Sequence, residues 1–460
     1  MTNNSIQKNI FKAYDIRGIV KDSFTSEAVK LIGRSIGSEA LSQNQKSICI
    51  GYDGRLSSPE ICEALTIGLL STGINIIHIG LVTTPMLYFS THTLESKSGI
   101  MITGSHNPPE YNGFKIVINN KALTTEEIQR IYQRIIEGKF LSGNGNLTTK
   151  NIRSDYLKAI KKNIAIKRPI KIVIDCGNGA AGICAETLFR NLGVTVEGLF
   201  TEVDGNFPNH HPDPSNPKNL KDLQNNLAKT DNELGLAFDG DGDRLGVVTK
   251  SGEIIYPDRQ LLLFSEWVLK ENPGATIIFD VKSTRHLFKW INDKGGIPFI
   301  WKTGHSLIKA KMSEKKAILA GEMSGHIFFK DKWFGFDDGL YAGARLLEIL
   351  SNFANPSAIL EALPKGFSTP ELNINLKEGE QHALIKKMQD DAIFPNALEI
   401  NKIDGLRIEY HNGFGLMRAS NTTPVIVLRF EANTKDNLTL IQEEFKAVLV
   451  RHIETNKIPF

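Results

Sequence analysis

The chain has 460 residues, about three times the ~150 residues of a typical domain, so we expect two to four domains. Hydrophobic residues make up 41% and charged residues 23% of the chain, a balance that excludes a disordered protein. The 54 Lys and Arg residues face 51 Asp and Glu residues, and the resulting net charge of +3 argues against nucleic acid as a partner.

Cellular location is indicated by the cysteines and by the absence of apolar segments. The four cysteines have no CxxC spacing, and the polar N-terminus has no apolar signal region; both features are typical of a cytoplasmic protein with reduced thiols. No apolar run approaches the ~18 residues of a membrane span, so no membrane partner is expected. We expect a monomer, with a dimer left open.

A unit of four short strands recurs three times in the chain. Its first strand is apolar and ends in Asp, its second begins with Gly, its third enters a polar loop, and its fourth follows that loop closely. The four strands, in order, are residues 47–53, 73–77, 99–105 and 114–118 in the first copy, 171–175, 193–196, 235–239 and 245–249 in the second, and 276–280, 296–300, 317–322 and 327–330 in the third.

Strands that alternate with helical stretches indicate βαβ units in a largely parallel sheet. The fourth strand of each unit returns after too short a connection for a parallel crossover, so we expect it to be antiparallel. Open α/β sheets bind ligands beyond the carboxyl ends of their strands. The three polar loops are therefore expected to face one cleft.

The tail from residue 368 has a different pattern, which indicates a smaller fourth domain. Its predicted strands and helices are residues 372–376, 406–410 and 425–431, and residues 381–391 and 436–455. The predicted fold is α/β, with three similar mixed α/β domains plus a smaller α+β C-terminal domain around a central active-site cleft. The predicted domains I to IV are residues 1–150, 151–252, 253–366 and 367–460.

The polar loop of the first unit, residues 103–109 (Thr-Gly-Ser-His-Asn-Pro-Pro), is called the serine loop here. It presents the hydroxyl of Ser105 from a rigid backbone whose N–H groups can hold a phosphate. His106 and Lys115 are nearby as possible proton carriers. On this loop alone an ordinary Ser-rich turn is an equal alternative, and no G-x-S-x-G elbow supports a serine hydrolase.

The polar loop of the second unit, residues 239–244 (Asp-Gly-Asp-Gly-Asp-Arg), is called the acidic loop. The carboxylates of Asp239, Asp241 and Asp243 alternate with glycines and can converge on one hard divalent cation. An EF-hand would need Gly and a carboxylate where this chain has Arg244 and Lys250, so it is rejected. Three carboxylates fill half an octahedron and leave room for waters and a phosphate oxygen, as Mg²⁺ prefers.

The third unit ends in residues 321–326 (Gly-Glu-Met-Ser-Gly-His), called the glutamate loop. Glu322 and Ser324 have the chemistry to bind two vicinal hydroxyls, and His326 can transfer protons. A common Glu-Ser turn is the alternative interpretation.

In the tail, residues 418–424 (Arg-Ala-Ser-Asn-Thr-Thr-Pro), called the arginine loop, combine a guanidinium with hydroxyl and amide groups. Such a set makes a phosphate clamp, although a polar hairpin turn is the alternative. Lys282 and His305 each follow a predicted strand and can contact anions, or be surface charges.

Together the four loops resemble the α-D-phosphohexomutase family, and within it the bacterial phosphomannomutase/phosphoglucomutase group. The matching motifs occur in the family's order from Tyr14 to Pro424. Residues 14–18 (Tyr-Asp-Ile-Arg-Gly) look like its N-terminal signature. The serine, acidic, glutamate and arginine loops look like its phosphoserine, metal, sugar-recognition and phosphate loops.

The resemblance implies a mechanism. Ser105 would rest as a phosphoserine whose phosphate oxygen completes the coordination of Mg²⁺, which Asp239, Asp241 and Asp243 hold. The phosphate passes to the free hydroxyl of a hexose monophosphate, and the resulting 1,6-bisphosphate reorients and returns its other phosphate to Ser105. Glucose 1,6-bisphosphate, or mannose 1,6-bisphosphate, is the implied activator.

The resemblance also implies roles for the remaining residues. Arg17, Arg244 and Lys115 would neutralise charge, and His106, Lys115 and His326 are the candidates for proton transfer. The implied substrate contacts are Tyr14, Lys282, His305, Glu322, Ser324, His326, Arg418, Ser420, Asn421 and Thr422.

Specificity for the sugar depends on two positions. Relatives that act on glucosamine phosphate usually have Gln in place of Met323 and Gly in place of Asn421, so both residues favour mannose and glucose phosphates. A phosphoglucosamine mutase remains an alternative. Two further alternatives are a non-catalytic sugar-phosphate binding protein and a phosphatase.

Overall fold

The computed structural model of the protein describes residues 6–377, 379–421 and 423–460. Its strands form four sheets, one for each predicted domain. The fold prediction, three similar mixed α/β domains and a smaller α+β domain around a central cleft, is confirmed. The described residues include no helix both long enough and apolar enough to cross a membrane.

In domain I, β2 is parallel to β3 and β4, while β5 is antiparallel to β4 and β1. Its strands are β1 (Ile16–Ile19), β2 (Ser47–Tyr52), β3 (Asn75–Leu81), β4 (Gly99–Ile102), β5 (Tyr111–Ile118), β6 (Lys121–Ala122) and β7 (Leu147–Thr149). Its helices are α1 (Val20–Ser23), α2 (Ser26–Ser42), α3 (Ser58–Leu70), α4 (Thr84–Thr93) and α5 (Thr125–Glu137).

Domain II repeats this arrangement, with β8 parallel to β9 and β10, and β11 antiparallel to β10. Its strands are β8 (Lys171–Asp175), β9 (Thr195–Leu199), β10 (Leu234–Phe238), β11 (Leu245–Thr249) and β12 (Ile254–Ile255), and its helices are α6 (Arg153–Asn163), α7 (Ala185–Asn191) and α8 (Lys221–Lys229). Strand β12 pairs with β11 although it lies past residue 252. The sheet of domain II thus extends beyond the predicted boundary, and the boundaries stay predictions.

Domain III has β13 parallel to β14 and β15, and β16 antiparallel to β15. Its strands are β13 (Thr276–Asp280), β14 (Ile297–Trp301), β15 (Leu319–Gly321) and β16 (Ile327–Phe329). Its helices are α9 (Pro257–Glu271), α10 (His286–Asp293), α11 (His305–Lys315), α12 (Gly339–Leu350) and α13 (Pro356–Glu361). In all three units the fourth strand is antiparallel to the third, as predicted.

Domain IV is an antiparallel sheet with two helices. Its strands are β17 (Phe367–Ser368), β18 (Leu372–Asn375), β19 (Glu399–Asn401), β20 (Leu406–Tyr410), β21 (Gly413–Ala419) and β22 (Val425–Ala432), and its helices are α14 (Glu380–Asp391) and α15 (Lys435–Leu449). Strand β21, which sequence analysis missed, pairs with β20 and β22. The helix predicted over 436–455 ends earlier, at Leu449.

Aromatic side chains join the first three domains into one body. Trp333, just after β16, stacks on Tyr341 with ring centroids 4.4 Å apart and packs against Phe89 of α4 at 5.8 Å. The hydroxyl of Tyr156 in α6 donates to Asp338 Oδ1 at 2.8 Å, and Trp333 Nε1 donates to Asp338 Oδ2 at 3.2 Å. One apolar core therefore runs through these three domains and fixes their positions relative to one another.

Domain IV has its own apolar core and docks on domain III through buried charged groups. Arg407 Nη1 donates to the carbonyl oxygens of Val281 and Ser283, both at 2.7 Å. Arg429 Nη2 donates to Asp258 Oδ2 at 3.0 Å. These contacts bring the arginine loop to the cleft lined by the other three domains.

Candidate active site

The loops that follow the strands surround a cavity of about 700 Å³ lined by residues from all four domains. The acidic triad lies fully buried behind its wall. Thr422 lies outside the described residues. The predicted site residues that line the cavity are Tyr14, Arg17, Ser105, His106, Lys115, Arg244, Lys282, His305, Glu322, Ser324, His326, Arg418, Ser420 and Asn421.

The serine loop holds Ser105 in an unusual backbone conformation. Ser105 has a φ of 51°, in the left-handed region that residues other than glycine rarely adopt. Its N–H donates to Thr103 Oγ1 at 2.8 Å. Its Oγ donates to Asp239 Oδ2 at 3.2 Å and lies 3.2 Å from His106 Nδ1. The hydroxyl is thus fixed between a carboxylate and an imidazole at the cavity wall.

Lys115 of β5 partly offsets the negative charge of the buried carboxylates in the acidic loop. Its Nζ donates to Asp241 Oδ2 at 2.7 Å and to Asp243 Oδ2 at 2.5 Å. Burial would raise the pKa of Asp241, but the charge and hydrogen bond of Lys115 lower it. Burial and the charges of Asp243 and Asp241 raise the pKa of Asp239. One lysine offsets only part of the negative charge that three ionised carboxylates carry.

The triad fits a divalent cation. One carboxylate oxygen from each of Asp239, Asp241 and Asp243 lies within 4.8 Å of the others. Asp241 Oδ1 and Asp243 Oδ1 are buried and accept no hydrogen bond from the described residues. A buried carboxylate oxygen without a partner is costly unless a cation meets it. The donors are all oxygens, as Mg²⁺ prefers.

Two arginines flank the serine and acidic loops. Arg17 of β1 donates to Asn107 Oδ1 at 2.7 Å and to Asp15 Oδ2 at 2.5 Å. Arg244 donates through its N–H to Asp239 Oδ1 at 3.1 Å. Both guanidinium groups are nearly buried and line the cavity, so they place positive charge beside Ser105.

The histidines differ in their surroundings. Arg244 Nε donates to His326 Nε2 at 3.0 Å. His326 Nδ1 lies 3.0 Å from Asp337 Oδ2 and 3.4 Å from Asp243 Oδ1. Burial and the charge of Arg244 lower the pKa of His106 well below its usual range. His106 is therefore a neutral imidazole.

The glutamate loop presents Glu322 to the cavity. Its Oε1 accepts a hydrogen bond from the Gly304 N–H at 2.6 Å. Burial raises the pKa of Glu322 from 4.5 to about 7, with the charge of His326 opposing this shift. Ser324 is half-buried beside it. His305, at the start of α11, stacks on His326 with ring centroids 5.6 Å apart.

Domain IV contributes residues of the arginine loop to the cavity wall. Arg418 lies in β21 rather than in the turn that sequence analysis assigned to it, and its Nε donates to Asp404 Oδ2 at 2.9 Å. Ser420 Oγ lies 2.9 Å from Thr423 Oγ1. The side chain of Asn421 is half-buried. Domain IV therefore offers a rigid guanidinium with amide and hydroxyl groups around it.

Two further predicted residues, Lys282 and Tyr14, make contacts between domains at the cavity wall. Lys282 Nζ donates to Glu371 Oε1 at 2.6 Å. The ring of Tyr14 lies 5.9 Å from that of His305 in an edge-to-face contact. Burial raises the pKa of Tyr14 above its usual value, so its hydroxyl remains protonated and can donate.

Sequence analysis missed several cavity residues. Glu371 follows β17 in a segment without a motif. Asp213, Ser215 and Asn216 reach the cavity from the connection between β9 and α8. That connection reads His-His-Pro-Asp-Pro-Ser-Asn-Pro at residues 210–217. Its density of polar and proline residues is the signal that could have identified it.

Models of known families match along the chain. The phosphoglucomutase/phosphomannomutase alpha/beta/alpha domain I model matches residues 8–142, domain II matches 154–252 and domain III matches 256–367. The C-terminal domain model of the same family matches residues 371–448. The matches follow one another in the family's domain order.

Known proteins are similar over almost the whole chain. A phosphoglucomutase from Neisseria gonorrhoeae is 55% identical over 97% of both chains. A phosphomannomutase/phosphoglucomutase from Pseudomonas aeruginosa is 51% identical over 99% of this chain and 98% of its own.

Structural similarity agrees with this. A crystal structure of a phosphoglucomutase/phosphomannomutase family protein from Burkholderia thailandensis superposes with a TM-score of 0.93 at 52% identity, covering 97% of this chain and 98% of the other. With four family domains in order and relatives above 50% identity along its length, this chain belongs to the phosphoglucomutase/phosphomannomutase family.

Proposed function

We propose that this protein is a phosphohexomutase that interconverts hexose 6-phosphate and hexose 1-phosphate, with mannose and glucose as the sugars. The reaction runs through a phosphoserine at Ser105 and a bound 1,6-bisphosphate. The observation that carries the proposal is one cavity lined both by a fixed serine hydroxyl, that of Ser105, and by a buried guanidinium from another domain, that of Arg418. A sugar with two phosphates needs both groups at once.

The transfer step uses Ser105 as donor and acceptor. The free hydroxyl of the bound hexose monophosphate attacks the phosphorus of phosphoserine 105. A sugar O–P bond forms while the Oγ–P bond breaks, the sugar hydroxyl gives its proton to a base, and Oγ takes up a proton. After the bisphosphate reorients, the reverse step returns the other phosphate to Ser105. The two transfers therefore leave the enzyme phosphorylated.

Charge neutralisation is the main requirement of phosphoryl transfer. Arg17, Arg244 and Lys115 bring three cationic side chains to the cavity that Ser105 also lines. Asp239, Asp241 and Asp243 would hold Mg²⁺ together with an oxygen of the phosphoserine. When bound, Mg²⁺ supplies positive charge to the phosphoryl oxygens.

Proton transfer has three candidates. His106 is neutral and its Nδ1 lies 3.2 Å from Ser105 Oγ, so it suits the proton that Ser105 exchanges. Lys115 is occupied by two carboxylates. His326 accepts from Arg244 through Nε2. This arrangement supports His106 as the partner of Ser105, and Lys115 and His326 remain the two candidates for the proton of the sugar hydroxyl.

The distal phosphate and the sugar ring have separate contacts in this proposal. Arg418, Ser420 and Asn421 bind the phosphate that does not react, in either orientation of the substrate, and Thr422 is the fourth proposed contact. Lys282, His305 and Tyr14 border the same region. Glu322 and Ser324 bind ring hydroxyls that both orientations present. A site that recognises two phosphates and two hydroxyls fits a substrate that must reorient while it is bound.

The sugar is assigned from Met323 and Asn421, which favour mannose and glucose over glucosamine. Glucose 1,6-bisphosphate or mannose 1,6-bisphosphate is the proposed activator, because either restores the phosphoserine after the intermediate escapes. A cytoplasmic monomer remains our prediction for the working form.

The test is a coupled assay with Mg²⁺ and a trace of glucose 1,6-bisphosphate. Mannose 1-phosphate, glucose 1-phosphate and glucosamine 1-phosphate are compared by kcat/KM. We expect similar values for the first two and a much lower value for the third. Dominant glucosamine activity would establish the phosphoglucosamine mutase alternative. Phosphate release faster than isomerisation would indicate a phosphatase, and no turnover at all would indicate a silent binding protein.

A further inference from the structure

A buried arginine outside the cavity supports the serine loop from behind. Arg55, after β2, is 1% exposed. Its Nη2 donates to the carbonyl oxygens of Ser105 at 2.8 Å and Asn107 at 2.6 Å. Its Nη1 donates to those of Pro108 at 2.5 Å and Tyr111 at 3.0 Å. One guanidinium thus holds four carbonyl groups of the loop and of the strand that follows it.

The guanidinium is itself fixed by an acidic neighbour. Arg55 Nε donates to Asp53 Oδ2 at 3.1 Å, and the same oxygen accepts from Thr103 Oγ1 at 2.7 Å. Thr103 Oγ1 in turn accepts from the Ser105 N–H. A Cβ on Gly104 would lie 2.4 Å from Arg55 Cζ. The loop backbone therefore lies directly on the guanidinium.

Domain II closes this arrangement from the other side. The ring of Phe207 lies 5.2 Å from Arg55 Cζ, within the range of a cation–π contact. His211, four residues further, donates through Nε2 to the His106 carbonyl oxygen. The backbone carbonyls of Ser105 and of the residues that follow it thus have fixed donors.

The backbone at Ser105 needs such support. A left-handed conformation at a residue other than glycine is strained and persists only where the surroundings fix it. We propose that Arg55 is a positioning residue that fixes the direction of the Ser105 hydroxyl by holding the carbonyl groups of the serine loop. The inference rests on the proposed function. Among the described residues Arg55 is not one that lines the cavity, so its effect is on the transfer step and not on substrate binding.

The first variant is Arg55→Lys. It keeps the charge opposite Asp53, but a single ammonium cannot span two pairs of carbonyl groups as the guanidinium fork does. Displacement of reacting atoms by about 1 Å costs about 100-fold in rate. We expect kcat to fall about 100-fold while KM for glucose 1-phosphate changes less than about twofold, since substrate contacts are intact.

The matched control is Arg345→Lys. Arg345 is also 1% exposed and pairs with Asp331 at 2.8 Å, but it lies in α12 away from the cavity. Thermal unfolding of both variants measures their loss of stability. If Arg55→Lys lost no more kcat than Arg345→Lys at a comparable loss of Tm, or if its KM rose as much as its kcat fell, the inference would be overturned.

Chemical rescue separates positioning from folding. In Arg55→Ala, millimolar guanidinium is expected to restore kcat without changing KM, and urea at the same concentration is not. A folded Arg55→Ala with full activity, or one that urea restores equally well, would overturn the inference. An inactive wild-type enzyme in the same assay would instead contradict the proposed function, so the two failures are distinguishable.

Discussion

Replacing Glu322 by Gln is expected to make the protein more stable at high pH. Burial raises the pKa of Glu322 from 4.5 to about 7, with the charge of His326 opposing and that of Asp280 adding to the shift. Because the folded value lies above the unfolded one, the neutral acid contributes stability that is full below pH 4.5 and lost as pH rises through about 7. The stability lost over this pH range is about 3 kcal/mol.

The Gln side chain cannot ionise, yet its amide oxygen can still accept the hydrogen bond from Gly304. We therefore expect the Tm of Glu322→Gln to equal that of the wild type near pH 4 and to exceed it by several degrees at pH 9. Thermal unfolding at several pH values measures this. A Tm difference that did not change with pH would refute the reasoning.

Glu371→Gln is the matched control with the opposite sign. Partial desolvation in the cavity would raise the pKa of Glu371, whose side chain is 36% exposed, but the charge and hydrogen bond of Lys282 lower it. A lowered folded pKa contributes stability that is present above the unfolded value and is lost as pH falls through the folded value. Glu371→Gln is therefore expected to lower Tm at pH 8 and to have less effect near pH 4.

The stabilised variant should lose activity. A hydrogen bond from a sugar hydroxyl to an ionised carboxylate is stronger than one to an amide. We expect Glu322→Gln to lower kcat/KM at pH 8 about tenfold or more. Unchanged kcat/KM would remove Glu322 from the set of proposed sugar contacts.

Three other substitutions test the proposed metal site and the proposed phosphate contact. Lys115→Met leaves Asp241 and Asp243 without their buried partner. We therefore expect the free energy of unfolding to fall by about 3–5 kcal/mol in EDTA and by less in Mg²⁺. Equal losses of Tm in EDTA and in Mg²⁺ would contradict this expectation. Asp243→Asn is expected to weaken Mg²⁺ binding about tenfold or more in isothermal titration calorimetry, because one anionic oxygen ligand is lost; unchanged affinity would remove it from the metal site. Arg418→Lys is expected to raise KM about tenfold with less effect on kcat, whereas the exposed Arg451→Lys serves as control; a pure kcat effect would argue against a phosphate contact.

Much of the fold follows from strand patterns that the sequence displays. Residues 172–174 (Ile-Val-Ile) form a continuous apolar run before Asp175, as expected of a strand buried on both faces, and β8 has the predicted bounds, Lys171–Asp175. Strand β21 was missed because Gly413 and Gly415 interrupt its apolar pattern. A Cβ at Gly415 would lie 2.4 Å from the ring of Phe445. Its glycine is there for packing against α15, which no local pattern reveals.

The residues of the candidate site were likewise predicted only in part. Ser105 and the acidic triad were found because they follow buried strands, and the carboxyl ends of parallel strands meet at one edge of each sheet. Arg55 was missed because Asp-Gly-Arg at residues 53–55 is an ordinary turn sequence. Its four carbonyl partners lie 50 to 56 residues away along the chain. Such a role depends on tertiary contacts that the sequence does not display.

The most direct test of the central claim is to follow phosphate on Ser105. The purified protein is incubated with glucose 1,6-bisphosphate and Mg²⁺, mapped by peptide mass spectrometry, and then chased with glucose 6-phosphate. We predict one phosphate on Ser105 that leaves at a rate at least equal to kcat, and neither phosphate nor turnover in Ser105→Ala. Wild-type turnover in Ser105→Ala, or phosphate on another residue that the chase removes, would contradict the account.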